Sequence, residues 1–314
     1  MCRPNTKSFI SIIIPVYNEE EFIVGVLKAI SDHPPAPNYE VIVVDNASTD
    51  QTPHLVKEYG ARLVCYEEGT IAAVRNFGVS ESRAQILVFL DADVIVTDEW
   101  AKSMPSVIEE LLANPMVVTG SRCLPPDNGN WFNSYWFARL AHYDAPYINS
   151  GHLIVNRKLF DKIGGFSEHL TTAEDYDFCM KAVKSGGLLK NNPELPVIHL
   201  GYPQTIKSFV ARERWHGRED FETWASFANS KVGWAAAFNL LLFIAVFLSV
   251  MLTVSITPLV SYFFVMAAAS FLLTLYKFKT FKSGILQTSI IFYVYLCGRS
   301  LALIDRFFGL GNKR

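Results

Sequence analysis

Leu87-Val88-Phe89-Leu90-Asp91-Ala92-Asp93 is the stretch that decides the reading of this chain. A short run of aliphatic, β-branched and aromatic residues reads as a strand buried on both faces. It stops abruptly at two carboxylates one residue apart. In an open α/β sheet, ligands gather beyond the carboxyl ends of the strands, so these acids stand where chemistry is expected. Hard oxygen ligands in such a place suit Mg²⁺ or Mn²⁺ holding phosphate oxygens. A solvated turn is the competing reading.

The sequence around this stretch alternates strand-like and helix-like segments. Phe9–Val16, Tyr39–Asp45, Arg62–Tyr66, Gln85–Asp91 and Met116–Gly120 read as strands. Glu19–Ser31 has helical spacing, with Phe22, Ile23, Val26, Leu27 and Ile30 on one side. Ser48-Thr49-Asp50 offers capping oxygens to the next helix. The βαβ alternation predicts an α/β fold, a mostly parallel sheet with helices on both faces. From Leu124 to Ser167 the pattern is less regular, with an aromatic helix around Trp131–Tyr143 and a strand-like Tyr147–Asn156. A further helix begins near Glu174, and Pro196–His199 ends another apolar strand.

With 314 residues, the chain exceeds one typical domain, and 50% hydrophobic against 18% charged residues is apolar for a water-soluble enzyme. The excess lies at the C-terminal end. Residues 1–229 read as a globular domain, and residues 230–314 as a membrane region of two or three hydrophobic helices. Val232–Val254, Pro258–Tyr276 and Ile285–Leu303 each approach the roughly 20 residues needed to cross a bilayer. The third carries Arg299, costly at mid-membrane depth; pairing with Asp305, or an interfacial position, would relieve it. Lys277, Lys279 and Lys282 favour a cytosolic loop, whereas a third crossing would put Arg306, Lys313 and Arg314 on the far side, against the positive-inside tendency. Thr205–Phe227 is amphipathic, with Phe209, Trp215, Phe221 and Trp224 among charges, and suits either the core or the headgroup zone. A net charge of −2 gives no general attraction for nucleic acid. Five scattered cysteines (Cys2, Cys65, Cys123, Cys179, Cys297) have no metal-ligand spacing and fit buried thiols in a reducing compartment. The apolar run after Ser8 is too short for a signal-peptide core, so a cytosolic catalytic domain anchored in the plasma or inner membrane is expected.

Other strand ends carry polar residues as well. Pro15-Val16-Tyr17-Asn18-Glu19 closes the first strand and Asp45-Asn46-Ala47-Ser48-Thr49-Asp50 the second. Helix capping explains both without chemistry, although an Asp at position 45 could accept hydrogen bonds from a nucleobase or ribose. Gly69-Thr70 leads into Arg75-Asn76-Phe77-Gly78, which places a guanidinium near Asp91 and Asp93, able to bind phosphate or to pair with a carboxylate. Glu174, Asp175 and Asp177 open a helix, where the helix dipole favours acids.

The order of these motifs resembles the family-2 glycosyltransferases of GT-A fold, over roughly residues 9 to 220. The resemblance implies a divalent metal, Mn²⁺ or Mg²⁺, on the diphosphate of a nucleoside-diphosphate sugar. It makes Asp93 the direct metal ligand, with Asp91 on the ribose or on a metal-bound water and His199 a further ligand. Pro15, Tyr17, Glu19 and Asp45 would line the nucleoside pocket, and Arg75 would contribute to donor binding. The Glu-Asp pair after Gly164-Gly165-Phe166 would supply the base that deprotonates the acceptor, Asp175 first and Glu174 or Asp177 next. Arg214 in Arg212-Glu213-Arg214-Trp215 would contact pyrophosphate. Ala211 stands where processive relatives carry Gln, so single-sugar transfer is expected rather than polymerisation. The implied reaction is inverting sugar transfer to an acceptor hydroxyl or phosphate, on a lipid-linked or polysaccharide acceptor at the membrane. A non-catalytic nucleotide-sugar-binding scaffold would lack these carboxylates. A nucleotidyltransferase would carry a basic, Gly-rich phosphate loop where Pro15–Glu19 is acidic.

Overall fold

The computed structural model describes residues 10–67, 69–142, 146–279 and 283–309. Expectations for Cys2, Phe9, Tyr143, Lys282, Lys313 and Arg314 fall outside them. The chain forms two compact units, residues 1–126 with 144–201, and residues 127–143 with 202–314. The sequence reading drew its boundary at 229/230. The aromatic segment 127–143 and the helices from 206 onward pack with the apolar C-terminal region, because their aromatic side chains share one core.

The first unit holds a seven-stranded sheet of order β3-β2-β1-β4-β7-β6-β8. Its strands are β1 (Ile10–Val16), β2 (Tyr39–Asp45), β3 (Arg62–Cys65), β4 (Ile86–Leu90), β6 (Val117–Gly120), β7 (His152–Asn156) and β8 (Leu188–Asn191). Only β7 runs against its neighbours; the remaining pairings are parallel, so the mostly parallel α/β sheet is as expected. Two strands escaped the sequence reading. Short, exposed β8 has little apolar signal, and β5 (Val94–Val96) follows the acidic turn too closely to be separated from it. β5 pairs with β9 (Val197–His199) in a small antiparallel sheet of its own.

Strand alternation divides the core between the two faces. Ile10, Ile12, Ile14, Ile86, Val88 and Leu90 face α1 (Ile23–Asp32) and α4 (Asp98–Ala113), with Trp100 and Met104 at the centre of that layer. Ile13, Val44, Leu87 and Phe89 face the other way. They meet α3 (Ile71–Ser80), α6 (Arg157–Ile163) and α7 (Glu174–Lys184), where Phe89, Phe160, Phe166 and Phe178 form a ring cluster. The central strands are therefore apolar throughout, as burial on both faces requires. Pro15 lies beyond Ile13, where the pairing of β1 with β4 ends, so its missing N–H leaves no ladder bond unmade.

Gly78 sets the height of α3 above the sheet. A Cβ there would lie 2.5 Å from Ile13 Cγ2 and 2.9 Å from Val44 Cγ2. That close approach brings Arg75, one turn earlier on the helix, down to the end of β4.

The second unit is helical. A π-helical turn (Asn133–Phe137) leads into α5 (Ala138–Ala141). The expected amphipathic segment 205–229 is broken into α8 (Ile206–His216), a 3₁₀ turn (Glu219–Phe221) and α9 (Trp224–Asn229), with Gly217 and the N-cap Thr223 at the breaks. Its aromatics divide: Phe209 and Phe221 are core, whereas Trp215 and Trp224 are exposed. Then come α10 (Lys231–Thr253), α11 (Thr257–Phe278) and α12 (Ile285–Phe308), each long and apolar enough to cross a membrane. α2 (Thr52–Tyr59) completes the helices.

Replacing Gly78 with Val overpacks the α3–sheet contact. The expected loss is about 1–3 kcal/mol of stability, read as a lowered thermal unfolding midpoint.

Candidate active site

Several strand and helix ends of the first unit meet at the carboxyl edge of the sheet. Asp91 follows β4 directly and Asp93 closes the turn before β5, with Val94 N–H donating to Asp91 O. Antiparallel pairing of β5 with β9 places Val94 opposite His199, a partner more than a hundred residues away in sequence. Leu200 N–H donates to Asp93 O and locks that arrangement. The ligand atoms of Asp91, Asp93 and His199 all lie within 4.8 Å of one another, with His199 Nδ1 3.5 Å from Asp93 Oδ2. Two glycines make room for them. A Cβ on Gly201 would collide with Asp93 Oδ2, and one on Gly151 would lie 2.6 Å from Asp91 Oδ2. Two carboxylate oxygens and an imidazole nitrogen, all partly exposed, form a donor set that fits Mn²⁺, and Mg²⁺ less naturally because of the imidazole.

Beneath this trio lies Arg75, with its side chain 2% exposed. Its Nη2 donates to Asp91 Oδ1 at 2.7 Å and its Nη1 to Glu174 Oε1 at 2.7 Å. Burial opposes its charge, but Asp91 and Glu174 outweigh that and hold the guanidinium above its ordinary pKa. Of the two roles open to it from sequence, the carboxylate pairing is the one observed, each terminal nitrogen donating to an acid. The neighbouring Asn76 grips the Gly164-Gly165-Phe166 loop: Nδ2 donates to Phe166 O, and Phe166 N–H donates to Oδ1. Arg75 and Asn76 thus tie the start of α7 to the end of β4.

Glu174 also accepts from Ser150 Oγ at 3.0 Å, so it is held on two sides. Asp175 accepts from Asn149 Nδ2 at 3.1 Å and from Tyr176 N–H at 2.7 Å. Burial first, then the Glu174 charge, pushes the Asp175 carboxyl up to about 7 against the opposing pull of Tyr176 N–H and Arg75. Asp177 is engaged by Ser167 and Lys181 instead. Asn149, Ser150 and Gly151 were not singled out from sequence. The signal was there in a polar Asn-Ser-Gly turn heading a buried strand, but its partners lie on other elements.

The first two strand ends bring their own acids. Burial, then the charges of Asp93, Asp91 and Asp50, pushes the Glu19 carboxyl up to about 7, so Glu19 shares the field of the Asp91–Asp93 turn. Asp45 is buried and accepts from Ser48 N–H, while Tyr17 is half exposed. Pro15 is buried inside β1, which leaves Tyr17, Glu19 and Asp45 as the groups of that quartet bearing polar atoms at this edge. Asn18, Ala47 and Ala173 all have positive φ (57°, 61° and 56°). Non-glycine residues in this region carry strain that clusters at functional loops, and here all three lie at the site's borders. Arg214 belongs to the second unit, where Asp305 binds its guanidinium in bidentate fashion. Arg299, expected to find Asp305, pairs with Glu213 and Asp220 because α8 and the 3₁₀ turn pack on its face of α12.

Comparison with known proteins places these observations. The family model described as glycosyl transferase family 2 matches residues 11–172, more than half of the chain, and a second, glycosyl transferase family group 2, matches residues 128–278. The chain belongs to glycosyl transferase family 2. Glycosyltransferase AglE of Haloferax volcanii is 28% identical over 194 residues, covering 58% of this chain and 64% of AglE. The poly(ribitol-phosphate) beta-N-acetylglucosaminyltransferase TarS of Staphylococcus aureus is 27% identical over 187 residues, 55% of this chain and 32% of TarS. The chain therefore spans under two thirds of the length of these relatives. Among solved structures, mannosyltransferase PcManGT from Pyrobaculum calidifontis, in complex with GDP-Man and Mn²⁺, superposes with a TM-score of 0.59 at 21% identity. That alignment covers 96% of this chain and 89% of PcManGT, a likeness of fold.

Replacing Arg75 with Met strands the buried Glu174 carboxylate and the partly exposed Asp91. The expected cost is about 3–5 kcal/mol, seen as loss of cooperative unfolding at the wild-type temperature. Arg75→Lys, which keeps the charge but not the fork, is expected to fall between Met and wild type in the same measurement.

Proposed function

We propose that this chain transfers a single sugar from a nucleoside-diphosphate sugar to an acceptor hydroxyl or phosphate, with inversion, at a membrane surface. The observation that carries the reading is the meeting of Asp91, Asp93 and His199 with the Arg75-linked Glu174–Asp175 pair at one edge of the sheet. PcManGT, with the same fold, is described with GDP-Man and Mn²⁺, which supports a nucleotide-sugar donor and a divalent cation here.

Asp93, His199 and Asp91 would hold Mn²⁺ or Mg²⁺, which when bound offsets the charge gathering on a departing diphosphate. Tyr17, Glu19 and Asp45 line the donor side, Asp45 offering its carboxylate to the nucleoside. Asp175 takes the proton from the acceptor oxygen. Its two oxygens are oriented by Asn149 and by Tyr176 N–H, and its raised pKa makes it a stronger base than an ordinary carboxylate at neutral pH. Glu174 pairs with Arg75 and holds α7 in place. A single displacement with no second nucleophile inverts the anomeric centre. The three apolar helices and the exposed Trp215 and Trp224 support a membrane anchor with the catalytic unit on the cytosolic side. They also favour a lipid-linked or membrane-proximal saccharide acceptor.

The test is incubation of the purified full chain with a panel of nucleoside-diphosphate sugars and Mn²⁺. Release of nucleoside diphosphate is expected; release of sugar 1-phosphate instead would indicate nucleotidyl transfer, and neither product would indicate a scaffold. Asp93→Asn is expected to abolish release while leaving the unfolding midpoint near wild type. Asp175→Asn is expected to lower turnover roughly 10²–10⁴-fold. Because the base works only when deprotonated, kcat/KM is expected to rise with pH through about 7 and then level off. Glu19→Gln, which removes the other carboxyl titrating in that range, is expected to keep this limb.

A further inference from the structure

We infer that α10 and α11 alone cross the bilayer, as a hairpin, and that α12 lies in the interface at the face where the hairpin begins and ends. This rests on the membrane anchoring proposed above and fixes the number of crossings. By length and composition α12 is as eligible as its neighbours, but both of its ends make their contacts at the base of the hairpin, while its middle leans inward to bring Tyr293 to Tyr262.

The register of the hairpin comes first. Leu242, Val246 and Ser249 of α10 share one groove with Pro258, Tyr262 and Val265 of α11. The two helices therefore run antiparallel from their connection at 254–256, and the end of α11 returns to the level at which α10 starts. If α12 crossed as a third antiparallel span, its first turn would sit by Phe278 and its last turn near Thr257, roughly 30 Å deeper. It does not. Lys277, in the last turn of α11, lies 5.9 and 5.5 Å from the ring centres of Phe292 and Tyr295. Two turns on, Ser300 donates to Ala236 O, and Asn239 Nδ2 donates to Ser300 Oγ, both in the first half of α10. Arg299 pairs with Asp220, whose other oxygen accepts from Ser230, the N-cap of α10. Near the C-terminal end of α12, Arg306 donates to Glu222 O, a few residues before α10 begins. At the opposite end, Thr288 donates to Tyr135 O, and the adjacent Trp136 ring stacks edge-on against Phe278. Both ends of α12 are thus anchored at the hairpin's base.

What covers α12 gives an independent reason. α8 packs along its middle, so closely that a Cβ on Gly298 would lie 2.8 Å from Glu213 Cβ, and one on Gly217 2.8 Å from Ala302 Cβ. α8 brings Arg212, Glu213 and Arg214 with it. Glu213 is buried and paired to Arg299 and Arg212, but the Arg212 and Arg214 side chains remain 34% and 43% exposed. Were α12 a span, those guanidinium groups would face hydrocarbon near mid-depth, where a charged side chain is costly. In the interface they meet water and lipid phosphates. The exposed Trp215, Trp224, Trp234, Phe307 and Phe308 then lie at headgroup level, where aromatic side chains settle. Lys277, Lys279 and Arg306 also come to one side, which removes the conflict with the positive-inside tendency that a third crossing creates.

The experiment uses the full chain in native membrane vesicles, with a membrane-impermeant maleimide and peptide mass spectrometry to identify the labelled thiol. Cys65, exposed on the first unit, marks the side of that unit. Ile256→Cys, between α10 and α11, and Phe308→Cys, 67% exposed at the end of α12, report the other positions. Phe308→Cys is expected to be labelled only where Cys65 is, and Ile256→Cys only on the opposite side. Labelling of Phe308→Cys together with Ile256→Cys would overturn the inference. A fluorescent protein and an alkaline phosphatase, each fused after Arg314, give a second readout that does not depend on thiol reactivity. Fluorescence without phosphatase activity is expected, and the reverse contradicts the inference. Recovery of the chain in the soluble fraction without detergent would instead defeat the anchoring itself, an outcome distinct from a misplaced Phe308.

Discussion

A buried guanidinium holding two carboxylates from distant parts of the chain is the interaction on which the first unit's site depends. Arg75 has almost no exposure, and a charge so enclosed is tolerated only if it is matched. Asp91 and Glu174 match it at 2.7 Å each, and in doing so they join the end of β4 to the start of α7. One acid beside the bridge, Asp93, faces His199. Another, Asp175, adjoins Glu174 and is left with a raised pKa. A single pair of salt bridges thereby sets the relative positions of a candidate metal centre and a candidate base.

The rest of the first unit exists to hold that bridge at the correct height. Gly78 lets α3 settle onto Ile13 and Val44, Asn76 clamps the Gly-Gly-Phe loop, and the phenylalanine cluster behind β4 packs against the same loop. The small β5–β9 sheet has little area of its own. Its contribution is positional, since pairing Val94 with His199 is what delivers an imidazole to Asp93. Strained, positive-φ residues at the borders, Asn18, Ala47 and Ala173, are what remains when loop shape is dictated by the site rather than by local preference.

Much of this was legible in the residues. The buried central strands announced themselves through unbroken apolar runs, and the acids after them through their position at strand ends. Short or exposed elements were not legible: β8 has a weak pattern, and β5 is three residues long beside a turn. Arg75 was ambiguous from sequence because a guanidinium suits phosphate and carboxylate equally, and only burial decides between them. Asn149 and Ser150 were missed because a hydrogen bond to a residue more than twenty positions away leaves no local trace. Pairing with Asp305, on the same helix, was one of two ways open to Arg299, the other being an interfacial position; packing by α8 supplies Glu213 and Asp220 as its partners. Hydropathy likewise detected three apolar helices without revealing that the third is half covered by its own chain.

The central claim is that Asp93 and His199 together bind a cation in the presence of a nucleotide. Pulsed electron paramagnetic resonance of Mn²⁺ bound to the full-length protein with a nucleoside diphosphate addresses it most directly. Coupling to one imidazole ¹⁴N is predicted in the wild type, absent in His199→Ala, with the bound Mn²⁺ itself lost in Asp93→Asn. Mn²⁺ that binds all three proteins alike, with no nitrogen coupling in any of them, would contradict the account.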